Sequence, residues 1–555
     1  MSPEPEVQSG VRTAPLPLNR RSEEGILSRV RYGQGLAVAV AIGLALRLWF
    51  NVGFVGGFPQ DDGIYVNVAR LLVAGVDLVA RYRDLDPSYA ANPAENFTFR
   101  IAYLYPLSWC FRLFGEGDRA ATLVGIVTAL LSIVVIAEIG RAAISDRAGV
   151  AAAFLLATFP HDVILTTRVL TDGLLRLFVA LACLFVIRGW PTGSPRAFAL
   201  GGLALGLAYL TKIPGAALFA VFGIVLAVRC LKRRAPLPFV AYVAGFASVV
   251  LAETIWYWWR TGQMFLHYRI LRSSILAKLQ FEPVAVSDVG PYLRVLWEGE
   301  FLWYAPLVLG LTSVGYYSFA GFGAHGWVWL AGLVPTVRGR SRGALVLIGL
   351  AVGLYLFVEF FPLDVRLTDG RLQYALVYRQ WRFASLLTPA WVPLGGALLA
   401  WIWEKSTAAA AVVLVVTVVS GWPSFIRNYD ALRGSQSDMR AVAAFIENRP
   451  EPIYTDRFAV SILQYYLGSA EHAKQLRDLS TLRGALPAKG DLVIIGGSRG
   501  IEILAEVWEA DLPAWCRSAL DAPDVPPGWR LLLRIPGTEE LTRLHDLLIL
   551  QRVDP

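Results

Sequence analysis

The stretch GLAVAVAIGLALRLWFNVGFVGGFPQDDGIY, residues 35–65, joins an apolar run to two adjacent carboxylates. The run from Gly35 to Phe54 has about the length that crosses a bilayer, which takes ~20 apolar residues. Residues 1–34 are mostly polar, with arginines close to the run, and no small-residue cleavage site follows it. We interpret the run as a retained signal anchor whose N-terminal tail lies in the cytoplasm.

The composition of the whole chain agrees with a membrane protein. Of its 555 residues, 55% are hydrophobic and 17% are charged, and the mean hydropathy is +0.51. Soluble proteins carry about 25% charged residues. The four cysteines are far apart with no CxxC spacing, so neither a disulfide framework nor a thiolate zinc site is expected. Most basic clusters behind the net charge of +8 lie between apolar runs, where positive-inside topology explains them without nucleic acid.

Further apolar runs predict an all-α polytopic bundle over residues 35–424, with about 11–13 spans of ~20 residues each. The predicted spans after the anchor are 119–141, 148–166, 172–188, 197–211, 214–231, 236–259, 343–361, 384–403 and 407–424. Outside loops are expected at 56–118 and 260–300. The basic clusters near 229–234 and 338–342 would then face the cytoplasm. Residues 301–337 are interpreted as one span plus one surface helix.

Shorter patterns predict the parts outside the membrane. Apolar residues at helical spacing predict an interfacial helix over 65–72, and the short apolar run 101–114 is expected along the membrane surface. Residues 425–555 carry dispersed charges, with a helix predicted over 437–449 behind a Ser or Asp cap. Strands are predicted at 452–455, 491–496, 530–535 and 547–553. This C-terminal part is expected to be a small α/β domain, placed outside by the parity of the spans.

The first candidates for chemistry are Asp61 and Asp62, just outside the first span. Crowding two carboxylates raises the pKa of at least one, which suits a general base. The alternative is a helix N-cap for the helix over 65–72, and the spacing alone favours the cap.

Asp172 is a second candidate, since acidic residues at a membrane boundary are often functional. It too could be an N-cap. His161 and Asp162 precede it at the outer end of the neighbouring span. With Asp61 or Asp62, these side chains could form a cation site.

Three cations form the third group. Lys212 lies in a turn between two spans, and Arg379 and Arg382 precede a later span on the same outer side. Such cations oppose the positive-inside bias, and a phosphate at the outer surface would explain them. Snorkelling toward lipid head groups is an equal alternative. No GxxxxGK[ST] loop is present, and the turn at 496–500 resembles a phosphate-binding turn only weakly.

The order of these features resembles the polyprenyl-phosphate-sugar-dependent glycosyltransferases of the GT-C superfamily. Within it, the chain is similar to the bacterial branch related to protein O-mannosyltransferases and lipid A aminoarabinose transferases. Asp61-Asp62-Gly63-Ile64-Tyr65 stands where that family has Asp-Glu-x-x-Tyr, with Asp in place of Glu. The other matching elements are Arg168 with Thr171-Asp172, Leu210-Thr211-Lys212, Arg382 with Pro389, and Ile453–Asp456 with Tyr465–Gly468.

The resemblance implies a bacterial inner-membrane enzyme that takes a sugar from a polyprenyl phosphate at the extracytoplasmic face. Asp61 would be the general base in an inverting attack, with Asp62 and Asp172 as further catalytic residues. The substrate-binding residues would be Tyr65, Arg168, Lys212, Arg379 and Arg382. The acceptor could be a protein, a lipid or a glycan. No nucleotide is expected, because the lipid phosphate is the leaving group. Relatives differ in metal use, so a divalent cation stays open.

Two other functions fit a polytopic chain. A transporter or lipid flippase would place its site at the bilayer midplane on broken helices, whereas the charges here gather at one face beside a large outer loop. A non-catalytic scaffold or receptor would not need Asp61 and Asp172. Within the enzymes, an arabinofuranosyl- or oligosaccharyl-transferase-like activity is a further alternative.

Overall fold

The computed structural model describes most of the helical part and two thirds of the C-terminal part. The described residues are 18–51, 61–79, 99–270, 323–339, 341–360, 364–368, 371–375, 383–455, 457–468, 475–482, 485–495, 525, 527–536 and 547–553. The helices are α1 (Leu18–Phe50), α2 (Asp61–Val73), α3 (Ile101–Phe114), α4 (Asp118–Ala143), α5 (Asp146–Ala157), α6 (Pro160–Thr166), α7 (Asp172–Thr192), α8 (Pro195–Thr211), α9 (Pro214–Arg233), α10 (Leu237–Thr261), α11 (Gly323–Ala331), α12 (Leu333–Gly339), α13 (Arg342–Phe360), α14 (Thr388–Lys405), α15 (Thr407–Ile446) and α16 (Arg457–Leu467).

The described helices confirm a polytopic membrane protein. Six of them are long and apolar enough to cross a bilayer, or seven if the bent pair α5 and α6 is one span. The predicted spans at 119–141, 172–188 and 214–231 lie inside α4, α7 and α9, and the span at 236–259 begins one residue before α10. Two shorter apolar helices occupy Arg342–Val358 and Thr407–Pro423. Of the region 301–337, the structure describes only the part in α11 and α12.

The predicted span over 148–166 corresponds to two helices, α5 and α6, that are long and apolar enough only when taken together. The chain bends by 62° between α5 and α6, at Thr158 and Phe159. Pro160 opens the second helix, and it pushes the residue before it out of the helical region, so Phe159 has φ −71° and ψ 111°. The bend turns His161 and Asp162 into the protein interior, where both are buried.

The membrane helices pack around one large apolar cluster. Helix α8 packs against α7 and α10, and α5 packs against α4 and α14. Local caps start several of these helices: Ser145 accepts from the Ala148 amide before α5, and Ser194 accepts from the Ala197 amide before α8. A second cluster joins α2, α3 and the N-terminal ends of α4 and α7, around the buried rings of Tyr65 and Tyr103.

The C-terminal part confirms the predicted small α/β domain. Its strands are β3 (Ile453–Thr455), β4 (Leu476–Asp478), β5 (Leu492–Ile495), β6 (Trp529–Ile535) and β7 (Leu547–Arg552), in the spatial order β4-β3-β5-β7-β6. Strand β3 pairs in parallel with β4 and β5, while β7 pairs antiparallel with β5 and β6. The four predicted strands are present. The three-residue β4 and the hairpin of β1 (Asp364–Thr368) and β2 (Arg371–Ala375) were not predicted.

The separate helix predicted over 437–449 is wrong. Helix α15 runs for 40 residues without interruption, so no cap forms at Ser437. Its last turns, with Val442, Ala443 and Ile446, are buried in the core of the C-terminal domain. One helix therefore continues from the apolar part of the chain into the core of the C-terminal domain.

Candidate functional site

Helix α2 carries the conspicuous acidic pair and is held by the C-terminal domain. Its Asn67 Nδ2 donates to the Ser461 carbonyl of α16 at 2.7 Å, and Arg70 Nη1 donates to the Tyr465 carbonyl at 2.8 Å. A Cβ on Gly63 would come within 3.1 Å of the backbone at Ser461 and Ile462. The missing side chain of Gly63 thus lets the two helices approach closely beside the acidic pair. Asp61 is the first residue of α2, and its side chain lies outside the described part of the chain.

Asp62 forms a fully buried ion pair with Arg168. Its Oδ2 lies 3.2 Å from Nη2 of Arg168, and neither side chain has any solvent exposure. Arg168 sits between α6 and α7, where a Cβ on Gly125 would come within 2.3 Å of the Thr166 carbonyl. That close approach of α4 fixes the segment that presents Arg168. Asp62 is thus more than a helix cap, because its carboxylate bonds to a side chain 106 residues away.

Asp172 forms a second buried ion pair, with Lys212. Lys212 Nζ donates to Asp172 Oδ1 at 2.9 Å, and the two side chains are 8% and 2% exposed. Asp172 begins α7, and Lys212 immediately follows α8. Snorkelling does not describe Lys212, because its ammonium group points at a carboxylate inside the protein.

Tyr65 connects the two ion pairs. Its hydroxyl lies 3.5 Å from Oγ1 of Thr171, the residue before Asp172. Arg100 lies over its ring at 5.2 Å from the centroid. Since α2 also carries Asp62, the predicted residues Asp62, Tyr65, Arg168, Asp172 and Lys212 come together at the N-terminal end of α7 and the C-terminal end of α8.

Tyr103 is a residue of this site that the sequence analysis missed. Its ring meets the Tyr65 ring edge-on at a centroid distance of 5.3 Å, and its side chain is fully buried. Burial raises the pKa of Tyr103 well above its usual range, and the charges of Asp62, Cys110 and Asp172 raise it further. Its hydroxyl is therefore neutral and able to donate at physiological pH. The apolar run 101–114 contains no sequence signal that distinguishes Tyr103 from its apolar neighbours, because the residues that surround Tyr103 in the site come from other segments.

A cation site made from His161, Asp162 and Asp172 does not form. Asp162 bonds instead to two buried guanidinium groups, those of Arg47 and Arg176. Arg47 also donates from Nε to Thr166 Oγ1 at 3.0 Å. Among the described residues, no group of three or more His, Cys, Asp and Glu side chains is arranged to hold a metal ion. Arg47 was overlooked because it is a single charge inside an apolar run.

Some predicted residues lie outside the described part of the chain. These are Arg379 and Arg382, the proposed phosphate-binding cations, and the glycine turn at 496–500. Their roles remain predictions.

Comparison with known proteins supports the resemblance. Residues 101–258 match the family described as dolichyl-phosphate-mannose-protein mannosyltransferase. These residues include Arg168, Asp172 and Lys212 of the site. No curated protein matches the chain.

Solved structures match nearly the whole chain at low sequence identity. ArnT from Cupriavidus metallidurans in the apo state is 17% identical, with a TM-score of 0.55 over 93% of this chain and 97% of that one. The structure of the same protein bound to undecaprenyl phosphate is 16% identical, with a TM-score of 0.50 over 93% of this chain and 97% of that one. A third structure is the archaeal oligosaccharyltransferase AglB from Archaeoglobus fulgidus in complex with an inhibitory peptide and a dolichol-phosphate. It is 15% identical, with a TM-score of 0.51 over 87% of this chain and 71% of that one. The fold implied by the motifs is confirmed: the chain has the GT-C-like fold of the ArnT and AglB structures.

Proposed function

We propose that the protein transfers a sugar from a polyprenyl-phosphate donor to an acceptor hydroxyl at the extracytoplasmic membrane face. The matched ArnT and AglB structures contain undecaprenyl phosphate and dolichol-phosphate, which are lipids of this class. The observation that carries the proposal is the convergence of the Asp62–Arg168 and Asp172–Lys212 pairs around Tyr65. Four charged side chains from three distant segments are buried together at one end of the helices, although burying them is costly without a role.

The proposed mechanism is an inverting displacement with Asp61 as general base. Asp61 accepts the proton of the acceptor hydroxyl, whose oxygen attacks the anomeric carbon of the sugar. The bond between that carbon and the phosphate oxygen breaks, and the lipid phosphate leaves with the electron pair. Asp62, held by Arg168, orients the acceptor. Positioned cations stabilise such a leaving group without reorganising during the reaction, which is the role proposed for Lys212, Arg379 and Arg382.

The proposed placement follows from the chemistry and the charge pattern. Arg20, Arg21 and Arg29 precede the apolar span Val30–Phe50, which supports a cytoplasmic N-terminal tail because cytoplasmic segments are enriched in basic residues. Helix α16 touches α2 beside the site, so residues 425–555 share its side of the membrane, outside the cytoplasm. A bacterial inner membrane supplies the lipid-linked donors that the reaction requires.

The test is transfer from a labelled polyprenyl-phosphate sugar by the purified protein, in membranes that contain the acceptor. Asp61→Asn should abolish transfer while the variant still inserts and folds. Asp77→Asn is the matched control, because Asp77 is 40% exposed and pairs with Arg260, and neither residue has a part in the proposed mechanism. Wild-type turnover by Asp61→Asn would refute the base assignment.

The same preparation distinguishes an enzyme from a flippase. Proteoliposomes with labelled donor in one leaflet would show movement of intact donor for a flippase, and cleavage of the sugar–phosphate bond for a transferase. Movement without cleavage would overturn the proposed function.

A further inference from the structure

The hydroxyl of Tyr103 is buried in the site and makes no hydrogen bond to any described residue. This is unusual for a tyrosine, because a buried polar group without a partner destabilises the fold. Tyr242 shows the ordinary case. It is equally buried, and its hydroxyl donates to the Phe219 carbonyl at 2.7 Å.

The surroundings of Tyr103 indicate what its hydroxyl could bind. Its ring packs against Tyr65, whose own hydroxyl reaches Thr171. The anionic groups that act on Tyr103 are the carboxylates of Asp62 and Asp172, and each is paired with a cation. Because each carboxylate is balanced by its own cation, these two pairs add no net positive charge that would favour a phosphate oxygen over a neutral hydroxyl oxygen at Tyr103. Aromatic rings next to hydroxyl groups also suit the mixed apolar and polar surface of a sugar.

We propose that the Tyr103 hydroxyl donates a hydrogen bond to a hydroxyl oxygen of the donor's sugar and thereby contributes to sugar selection. This inference rests on the proposed function, since it assigns a substrate contact in the same site. A site that hydrogen-bonds a substrate hydroxyl discriminates strongly against analogues that lack it, because its own buried group then stays unpaired.

The test compares Tyr103→Phe with Tyr242→Phe, which remove the same atom from two equally buried tyrosines. Tyr103→Phe should keep or raise the Tm, because it removes an unpaired hydroxyl. It should lower kcat/KM for the labelled donor about 10-fold, the effect of one neutral hydrogen bond. Tyr242→Phe should lower the Tm and leave kcat/KM within about twofold, since that hydroxyl bonds only the fold.

Two further measurements are needed. The first shows whether the Tyr103 hydroxyl contacts the sugar or the phosphate of the donor, and the second tests this contact separately from the transfer activity. Inhibition by polyprenyl phosphate, which has no sugar, should be unchanged by Tyr103→Phe. If Tyr103→Phe weakens this inhibition as much as it lowers kcat/KM, the hydroxyl contacts the phosphate and the proposal is wrong. Unchanged kcat/KM with a lowered Tm would also overturn it.

The rise in Tm caused by added donor tests the contact without turnover. If the wild-type protein cleaves no donor, the proposed function fails. A smaller donor-induced rise in Tm in Tyr103→Phe than in the wild type would still support the contact. An equal rise in Tm would refute it.

Discussion

The carboxylate of Asp172 and the ammonium group of Lys212 lie 2.9 Å apart, although 40 residues separate them along the chain. The pair joins the first residue of α7 to the residue that follows α8. Both side chains are nearly inaccessible to solvent. Removing one partner of such a pair leaves an uncompensated charge inside the protein, whereas removing both partners leaves none. Single and double variants therefore separate the contribution of the pair to protein stability from its contribution to function.

Lys212→Met should lower the free energy of unfolding by ~3–5 kcal/mol, the cost of leaving a buried carboxylate unpaired. The double variant Lys212→Met with Asp172→Leu should recover most of that stability, because no buried charge remains. Neither variant should transfer sugar, since both lack the proposed phosphate-binding cation. Thermal unfolding in detergent and the labelled-donor assay provide the two measurements. An active double variant would remove this pair from the mechanism.

Asn67→Ala should lower kcat about 10-fold with little change in the donor KM. The substitution removes the 2.7 Å hydrogen bond from α2 to the Ser461 carbonyl of α16. Small displacements of a catalytic element reduce rates strongly, because reacting atoms must be held within tenths of an ångström. Steady-state kinetics at saturating acceptor would separate the two constants.

Thr455→Val is the matched control for that variant. It removes the 3.1 Å hydrogen bond from Thr455 Oγ1 to the Ile494 carbonyl, inside the C-terminal domain and away from α2. We expect lower stability of the domain with nearly normal kcat. Equal loss of kcat in both variants would show that general destabilisation, and not the contact with α2, controls the rate.

Arg382→Ala should weaken donor binding, with a rise in KM of about 10-fold or more, since charge-assisted hydrogen bonds contribute ~1.5–3 kcal/mol. Inhibition by polyprenyl phosphate should weaken in parallel. Arg188→Ala is a suitable control, because Arg188 is 45% exposed and pairs with Glu138 near the other end of α7. Unchanged donor affinity in Arg382→Ala would exclude its phosphate role.

Asp162→Asn should destabilise the protein more than Arg47→Met does. Asp162 is the shared carboxylate of two buried guanidinium groups, those of Arg47 and Arg176. Removing Asp162 leaves two adjacent cations without a counter-ion, while removing Arg47 leaves one balanced pair. Melting temperatures of the two variants in the same detergent test this order. The reverse order would mean that Arg176 does not compensate Asp162 in solution.

The sequence was most informative where the determinant is local. Hydrophobic length located the spans in α4, α7, α9 and α10, because the bilayer core requires about 20 apolar residues whatever the partners are. Alternation of short apolar runs located β3, β5, β6 and β7 for a similar reason. The bend at Phe159 could have been read from Pro160, whose effect on the preceding residue is also local.

What the sequence alone determined is therefore the membrane class, most span positions and the residue types able to do acid–base and phosphate chemistry. Only the tertiary structure decided which of them meet: Asp62 with Arg168, Asp172 with Lys212, and Asp162 with Arg47 and Arg176 in place of a cation site. It alone revealed Tyr103 as part of the same cluster. The physical reason is that a charge pair depends on helix packing between distant segments, and a pattern within one segment carries no information about its partner.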